Sequence, residues 1–507
     1  MPKRLSAKLF DRDFSIRWNI LSSFAGNGLA VVLFFLSVPA FLSYLGVEAY
    51  GLVGFFVSFQ AALSVLDLGL AVTLTRELAV RAADPQRTAE IRDLVRTVEA
   101  VQWAVALIVG GAIFFLSPLL AGYANPDGLS SSVLAECFAI MSVALAFQFP
   151  IGLYSGGLFG LQRQVLFNTV NVFFAVFRNL GAIAALHFVS STPQMFFVWQ
   201  AVSSALHAAV LAVCVWRSMP GGAGTPAVRI ALLKDIWRFA SGLGAISILS
   251  VLITQIDKLL LIRLLPLEIF GYYAIAGVVS GGVHRLIQPI FQAYLPRLSQ
   301  IAGMPDKERL VRTYHQGCQL IAVAVLPFCI VCIFFSWEIL LLWQRDQTIA
   351  DNSYFLLSLL AAGGALNALL FVPYALQLAH GWTKLNLVSL TLAVCLSVPA
   401  IIVLTAYFGA AGAAAVWIIF NAVFILVLIP IMHSRLVQTE KWKWYLNDLL
   451  IPLAAVTAVA MACRYLFVSG TGYVLLFLQL ATVFTVAQAA AIISAGHIRD
   501  HIRKWIM

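Results

Sequence analysis

Residues 253–273 read ITQIDKLLLIRLLPLEIFGYY. Up to Pro266 the run is apolar enough for the middle of a lipid bilayer, yet it carries Asp257 beside Lys258. An ion pair in hydrocarbon costs several kcal/mol unless it lines water or meets partners on a neighbouring helix. The stretch therefore predicts a spanning helix with one face turned away from lipid. Its second half, RLLPLEIFGYY at 263–273, repeats YLGVEAYGL at 44–52, matching Leu45 with Leu265, Glu48 with Glu268 and Gly51 with Gly271.

Other short matches follow in the same order. LVRT at 94–97 recurs at 310–313, FNTVNVFFAV at 167–176 aligns with LNLVSLTLAV at 385–394, and FVW at 197–199 aligns with AVW at 415–417. A nearly constant spacing in preserved order predicts a duplicated unit, the usual plan of membrane transporters.

Composition fixes the class. With 62% hydrophobic and 11% charged residues over 507 positions, and a mean hydropathy of +0.94, the chain lacks the polar surface of a soluble fold. Its apolar runs predict about fourteen spanning helices, because only helices satisfy their own backbone within lipid one segment at a time. The first run, from about Trp18 to Tyr44, is too long for a cleavable signal peptide. The expected fold is an all-α integral membrane protein: two pseudo-symmetric six-helix lobes around a central cavity, plus two C-terminal helices. The N-terminal lobe is expected over 1–216, a linker over 217–236, the C-terminal lobe over 237–433, and a second linker with the last two spans and tail over 434–507.

Charge orients the bundle. Lys3, Arg4, Lys8, Arg12 and Arg17 precede the first span, and Arg81, Arg87, Arg92 and Arg96 flank the connection after the second. Only Arg263, Arg345 and Arg464 fall in or beside the opposite loops, so the positive-inside rule predicts cytoplasmic termini. The net charge of +10 then belongs to loops beside anionic lipid and is no sign of nucleic-acid binding. The seven cysteines sit mostly in apolar context and read as small core filler.

Polar residues inside the spans fall on helix faces. Ser247, Ser250, Thr254, Asp257 and Lys258 share one arc of the seventh span, and His284, Arg285, Gln288 and Gln292 one arc of the eighth. Asn168, Asn171, Arg178 and Asn179 share a face of the fifth span, Gln60, Ser64, Asp67 and Thr75 of the second, and Asn19, Ser23 and Asn27 of the first. Such faces are expected to wall a hydrated cavity. Arg178, Lys258 and Arg285 outnumber Asp67 and Asp257 there, which points to an anionic ligand, since a guanidinium grips phosphate oxygens in a fork. The competing arrangement pairs Arg285 with Asp257 and Arg178 with Asp67 as permanent bundle contacts, and turns the amides to interhelical hydrogen bonds.

LGVEAYGLVGFF at 45–56, VLDLGLAVTLTRELA at 65–79 and QIDKLLLIRLLPLEIFGYYAIAG at 255–277 resemble the polysaccharide transporter branch of the multidrug, oligosaccharidyl-lipid and polysaccharide exporter superfamily, in particular the bacterial Wzx-type oligosaccharide flippases. The resemblance implies a cytoplasmic (inner) membrane protein that turns an undecaprenyl-diphosphate-linked oligosaccharide over between leaflets, working alongside polysaccharide polymerase machinery. On that reading the substrate is bound by Arg178, Lys258, Arg285, His284, Gln288, Asn168, Asn171 and Asn27, with Asp67 and Asp257 as ion-coupling candidates. Fourteen spans are closer to the lipid II flippases of the same superfamily. A multidrug antiporter is the rival, and is expected to have a carboxylate-rich cavity instead. No phosphate-cradling G-x-x-x-x-G-K-[ST] loop occurs, and neither a cofactor nor enzymatic activity is expected.

Overall fold

The computed structural model describes residues 12–67, 69–83, 90–219, 225–304, 306–466 and 472–500, with backbone alone over 12–27, 30–31, 82–83 and 233–247. Every regular element among them is helical. The chain divides into two compact units, Met1–Glu268 and Ile269–Met507.

The first unit starts with α1 (Arg12–Leu63), a one-turn 3₁₀ segment (Ser64–Asp67), α2 (Leu70–Ala83), α3 (Glu90–Phe115) and the short α4 (Ser117–Tyr123). There follow α5 (Ser131–Gly160), α6 (Gln164–Phe188), α7 (Pro193–Ser218) and α8 (Ile230–Leu264). α5 is the central rod, flanked by α2, α3 and α7, while α1 packs on α6 and α8. Its core is Leu70, Leu74, Leu94, Val98, Leu153, Leu158, Leu211 and Val215.

The second unit repeats the order with α9 (Leu267–Ser280), α10 (Gly282–Ala302), α11 (Lys307–Phe334), the short α12 (Ser336–Gln344), α13 (Gln347–Leu369), α14 (Phe371–Ala379), α15 (Lys384–Val423) and α16 (Ile429–Leu436). The appended pair is α17 (Ile451–Leu466) and α18 (Tyr473–Ser494). α2 and α10 end at Ala83 and Ala302, α3 and α11 at Phe115 and Phe334, and α4 and α12 begin at Ser117 and Ser336, each pair 219 residues apart. The helix boundaries thus keep the spacing of the sequence repeat. α8 lies against α1, α2 and α3 and so belongs to the first compact unit.

Two long helices are broken by glycine. Gly46 (φ +76°, ψ 171°) interrupts α1 and Gly409 (φ +59°, ψ −144°) interrupts α15. Side-chain-bearing residues are strained at such dihedrals, so each glycine lets an apolar run kink into two rods. Among the described residues ten helical runs are long and apolar enough to cross a bilayer, against the about fourteen expected from apolar runs. Two of the ten, Val32–Asp67 and Lys384–Leu436, contain these breaks. The eighth predicted span falls outside the ten because α10 carries His284, Arg285, Gln288, Gln292 and Arg297 on one helix.

Glu48 of the repeated motif closes one end of the first unit. Its carboxylate accepts hydrogen bonds from the backbone N–H groups of Asp127, Gly128 and Leu129 at 2.9–3.1 Å. The same loop meets the turn between α8 and α9, where Asn125 N donates to Ile262 O (3.2 Å) and Leu267 N donates to Asn125 O (2.8 Å). Glu48→Ala removes three acceptances at once. It is expected to speed protease cleavage in loop 124–130 with the helical content unchanged, measured by limited proteolysis and circular dichroism.

Candidate functional site

α6 supplies the first part of the site. Arg178 stands mid-helix, partly buried, and no carboxylate among the described residues forms an ion pair with it. One turn earlier Phe174 stacks on His207 of α7 at 4.5 Å, and the Arg178 charge acts on that imidazole. His207 is buried, and its Nε2 has no hydrogen-bond partner among the described residues. On the same helix Asn168 is buried and Asn171 partly buried, whereas Asn179 Nδ2 donates to Ala175 O (2.8 Å) within its own helix.

Lys258 on α8 is tied locally. Its Nζ lies 3.1 Å from both Asp257 carboxylate oxygens and donates to Thr254 O at 3.1 Å. Asp67 caps α2, accepting from Ala71 N (3.1 Å), and its second oxygen accepts from Gln102 Nε2 of α3. Among the described residues Arg178 forms no ion pair with Asp67, the first of the two pairings weighed as permanent glue.

In the second unit His284, Arg285 and Gln288 lie together on α10. Arg285 and Gln288 are exposed, as is Gln292 one turn on, while Val283, Ile287 and Leu298 of the opposite side are buried. Arg285 also lacks an ion-pair partner among the described residues. His284 meets the edge of Phe371 at 6.2 Å. Asn27 lies outside the described side chains, as do Asn19, Ser23 and Ser247 of the polar stripes.

Several polar contacts were not anticipated by face analysis. Glu99 on α3 is buried and accepts from Tyr154 Oη (2.6 Å), Arg96 Nη1 (2.9 Å) and Trp216 Nε1 (3.4 Å). Asp93 pairs with Arg229 (2.8 Å) and accepts from Ala227 N (2.9 Å), strapping the end of the 217–229 connection to α3. The charged sequence EIRDLVRTVEA at 90–100 was the available signal, but it reads first as a solvated helix end. His207 gave no signal at all, being a lone histidine in an apolar helix.

Helical rods of this length and apolarity define a multi-pass membrane protein. Residues 16–302 match the model of the polysaccharide biosynthesis protein family, and the chain belongs to that family. Residues 243–403 also match the MatE family model. A putative O-antigen transporter of Shigella flexneri is 21% identical over 377 residues, covering 73% of this chain and 85% of its own. Among solved structures, the lipid II flippase MurJ in an inward closed conformation superposes with a TM-score of 0.69 at 13% identity, covering 96% of this chain and 99% of that one. An inward-facing multidrug resistance MATE family transporter gives 0.63 at 17% identity, covering 81% and 96%. The resemblance read from the 45–56, 65–79 and 255–277 motifs is thereby confirmed at the level of family and fold.

Proposed function

We propose that this transporter is a flippase that moves an undecaprenyl-diphosphate-linked oligosaccharide from the cytoplasmic to the periplasmic leaflet, with both termini cytoplasmic. The observation that carries the reading is the unpaired state of Arg178 and Arg285 among the described residues. A guanidinium inside a spanning helix is tolerated where it faces water or an anion, and a diphosphate offers the oxygens that its fork fits. Arg178, Lys258 and Arg285 hold the diphosphate, and His284, Gln288, Asn168, Asn171 and Asn27 hydrogen-bond the sugar. The prenyl tail stays in lipid while the two lobes rock about the bound headgroup. Asp67 and Asp257 are the coupling candidates, since each carboxylate loses or gains solvation as the cavity opens and closes.

The test is rescue of a flippase-deficient strain, read as disappearance of the accumulated lipid-linked sugar. A multidrug antiporter would leave the accumulation in place and raise resistance to cationic drugs instead. A second prediction concerns Asp67: its hydrogen-bond partners among the described residues are an amide and a backbone N–H, so Asp67→Asn is expected to preserve folding and lower the transport rate at least tenfold if the carboxylate couples an ion. Unchanged transport by that variant removes Asp67 from the coupling role and leaves it a helix cap.

A further inference from the structure

The appended helices α17 and α18 share one apolar core with α11, through Val456, Ala460, Val483 and Ala487. At one end of that core lies a polar cluster. His315 of α11 is buried, and both ring nitrogens face buried carboxylates: Nδ1 meets Asp448 Oδ2, and Nε2 meets Glu440 Oε2 at 3.2 Å. Gln319, one turn on, donates from Nε2 to Asp448 Oδ1 (2.9 Å) and accepts from His497 N (2.8 Å). α11 thus grips the segment leading into α17 and the turn leaving α18.

The two carboxylates decide the protonation of the ring. A neutral imidazole has one N–H and one lone pair, so it can donate to one carboxylate only and must turn a lone pair toward the other. The doubly protonated ring donates to both. His433 nearby shows the contrast: its Nδ1 donates to Ile429 O (3.0 Å), and its Nε2 accepts from Tyr314 Oη (3.1 Å), which suits the neutral form.

We propose that His315 is a proton-binding site whose imidazolium form clamps the C-terminal helix pair to α11, and that loss of the proton opens one arm of the clamp. The groups facing it come from every neighbouring element. On α11 they are Arg312, Tyr314 and Cys318; on the connection to α17, Glu440, Lys441, Lys443, Tyr445 and Asp448; on α16, His433; and after α18, His497 and Asp500. Burial works against ionisation of Glu440, but hydrogen bonds from Lys443, Thr439 and His315 hold its carboxyl below the usual carboxylate range. Its contribution is therefore present above that range and is lost as the pH falls through the depressed value. Burial and the neighbouring His315 charge hold the His497 ring below the usual imidazole range. The clamp holds within a window, bounded below by protonation of either carboxylate and above by deprotonation of His315.

Hydrogen exchange of the full-length protein in lipid nanodiscs, corrected for the chemical rate, reads the clamp directly and needs no substrate. In the wild type, exchange over 440–450 is expected to rise about tenfold as the pH is raised across the imidazolium-to-imidazole transition. Glu440→Gln supplies an amide N–H to the Nε2 lone pair, so the neutral ring suffices and the rise should vanish. His315→Gln donates to one carboxylate at a time and should show fast exchange at every pH. A rise of the same size in Glu440→Gln as in wild type overturns the proposal. Nitrogen-15 spectra of the wild-type histidines, with His315 assigned by its loss in His315→Gln or by selective labelling of the wild type, provide the second measurement. A neutral His315 ring at pH 6 overturns the proposal whether or not the variants fold.

Discussion

Arg178→Ala is expected to abolish rescue of a flippase-deficient strain while the protein inserts and folds normally. The two halves of that statement have separate causes. Removing one partner of a desolvated, hydrogen-bonded charge pair costs about 2–5 kcal/mol, or roughly 30- to 5,000-fold in affinity, because the phosphate oxygens left behind have no replacement for water. Folding is spared because Arg178 pairs with no carboxylate among the described residues, so its removal strands no buried anion there. Arg178→Lys keeps the charge and loses the fork, and should rescue partially. Arg285→Ala on the exposed face of α10 is expected to act in the same direction with a smaller effect, since its side chain is more open to solvent. Membrane-fraction immunoblots and the level of accumulated lipid-linked sugar separate the two halves. Full rescue by both alanine variants would leave the guanidinium groups without a role in the substrate site.

Much of the architecture was legible because the relevant signals are one-dimensional. Apolar runs fix spans, and the spacing between LVRT at 94–97 and LVRT at 310–313 anticipates the 219-residue displacement of helix ends. Helical periodicity correctly placed Arg285, Gln288 and Gln292 on one exposed face of α10. Periodicity describes a face, however, and says nothing of what stands opposite. Asp67 shares a stripe with Gln60 and Ser64, but its partners are Gln102, from another helix, and the backbone of Ala71. Asp257 was weighed as a mate for Arg285, while Lys258 folds back on it from the next position. His315 lies over a hundred residues from Glu440 and Asp448, in a helix whose pattern is otherwise that of core filler. Only three-dimensional proximity makes that cluster visible. The span count shows a different difficulty: α1 and α15 each register as one unbroken run although Gly46 and Gly409 divide them, and α10 is a long helix too polar to register.

The largest loss of stability is expected from Gly156→Leu. α5 crosses α2 where Gly156 and Gly160 face its backbone, four residues apart on one side of the helix, the small-xxx-small spacing that lets two spanning helices touch. A Cβ at Gly156 would overlap the carbonyl of Ala71, and one at Gly160 would stand 2.7 Å from the carbonyl oxygen of Thr75. Backbone cannot yield as a flexible side chain does, so the helices must separate. Separation also breaks the bond from Thr75 Oγ1 to Gly156 O (3.0 Å) and loosens Leu74 and Leu158, both buried in the core on either side. Overpacking alone costs about 1–3 kcal/mol, and the lost contacts raise the sum to about 4 kcal/mol or more. Gly152→Ala, one turn earlier where a Cβ meets open space, is the matched control. It should be neutral or stabilising by up to about 1 kcal/mol, because alanine favours the helix over glycine. Detergent unfolding curves should therefore show a large loss of stability for Gly156→Leu and none for Gly152→Ala. Equal behaviour would mean that α2 and α5 are not held together by direct backbone contact.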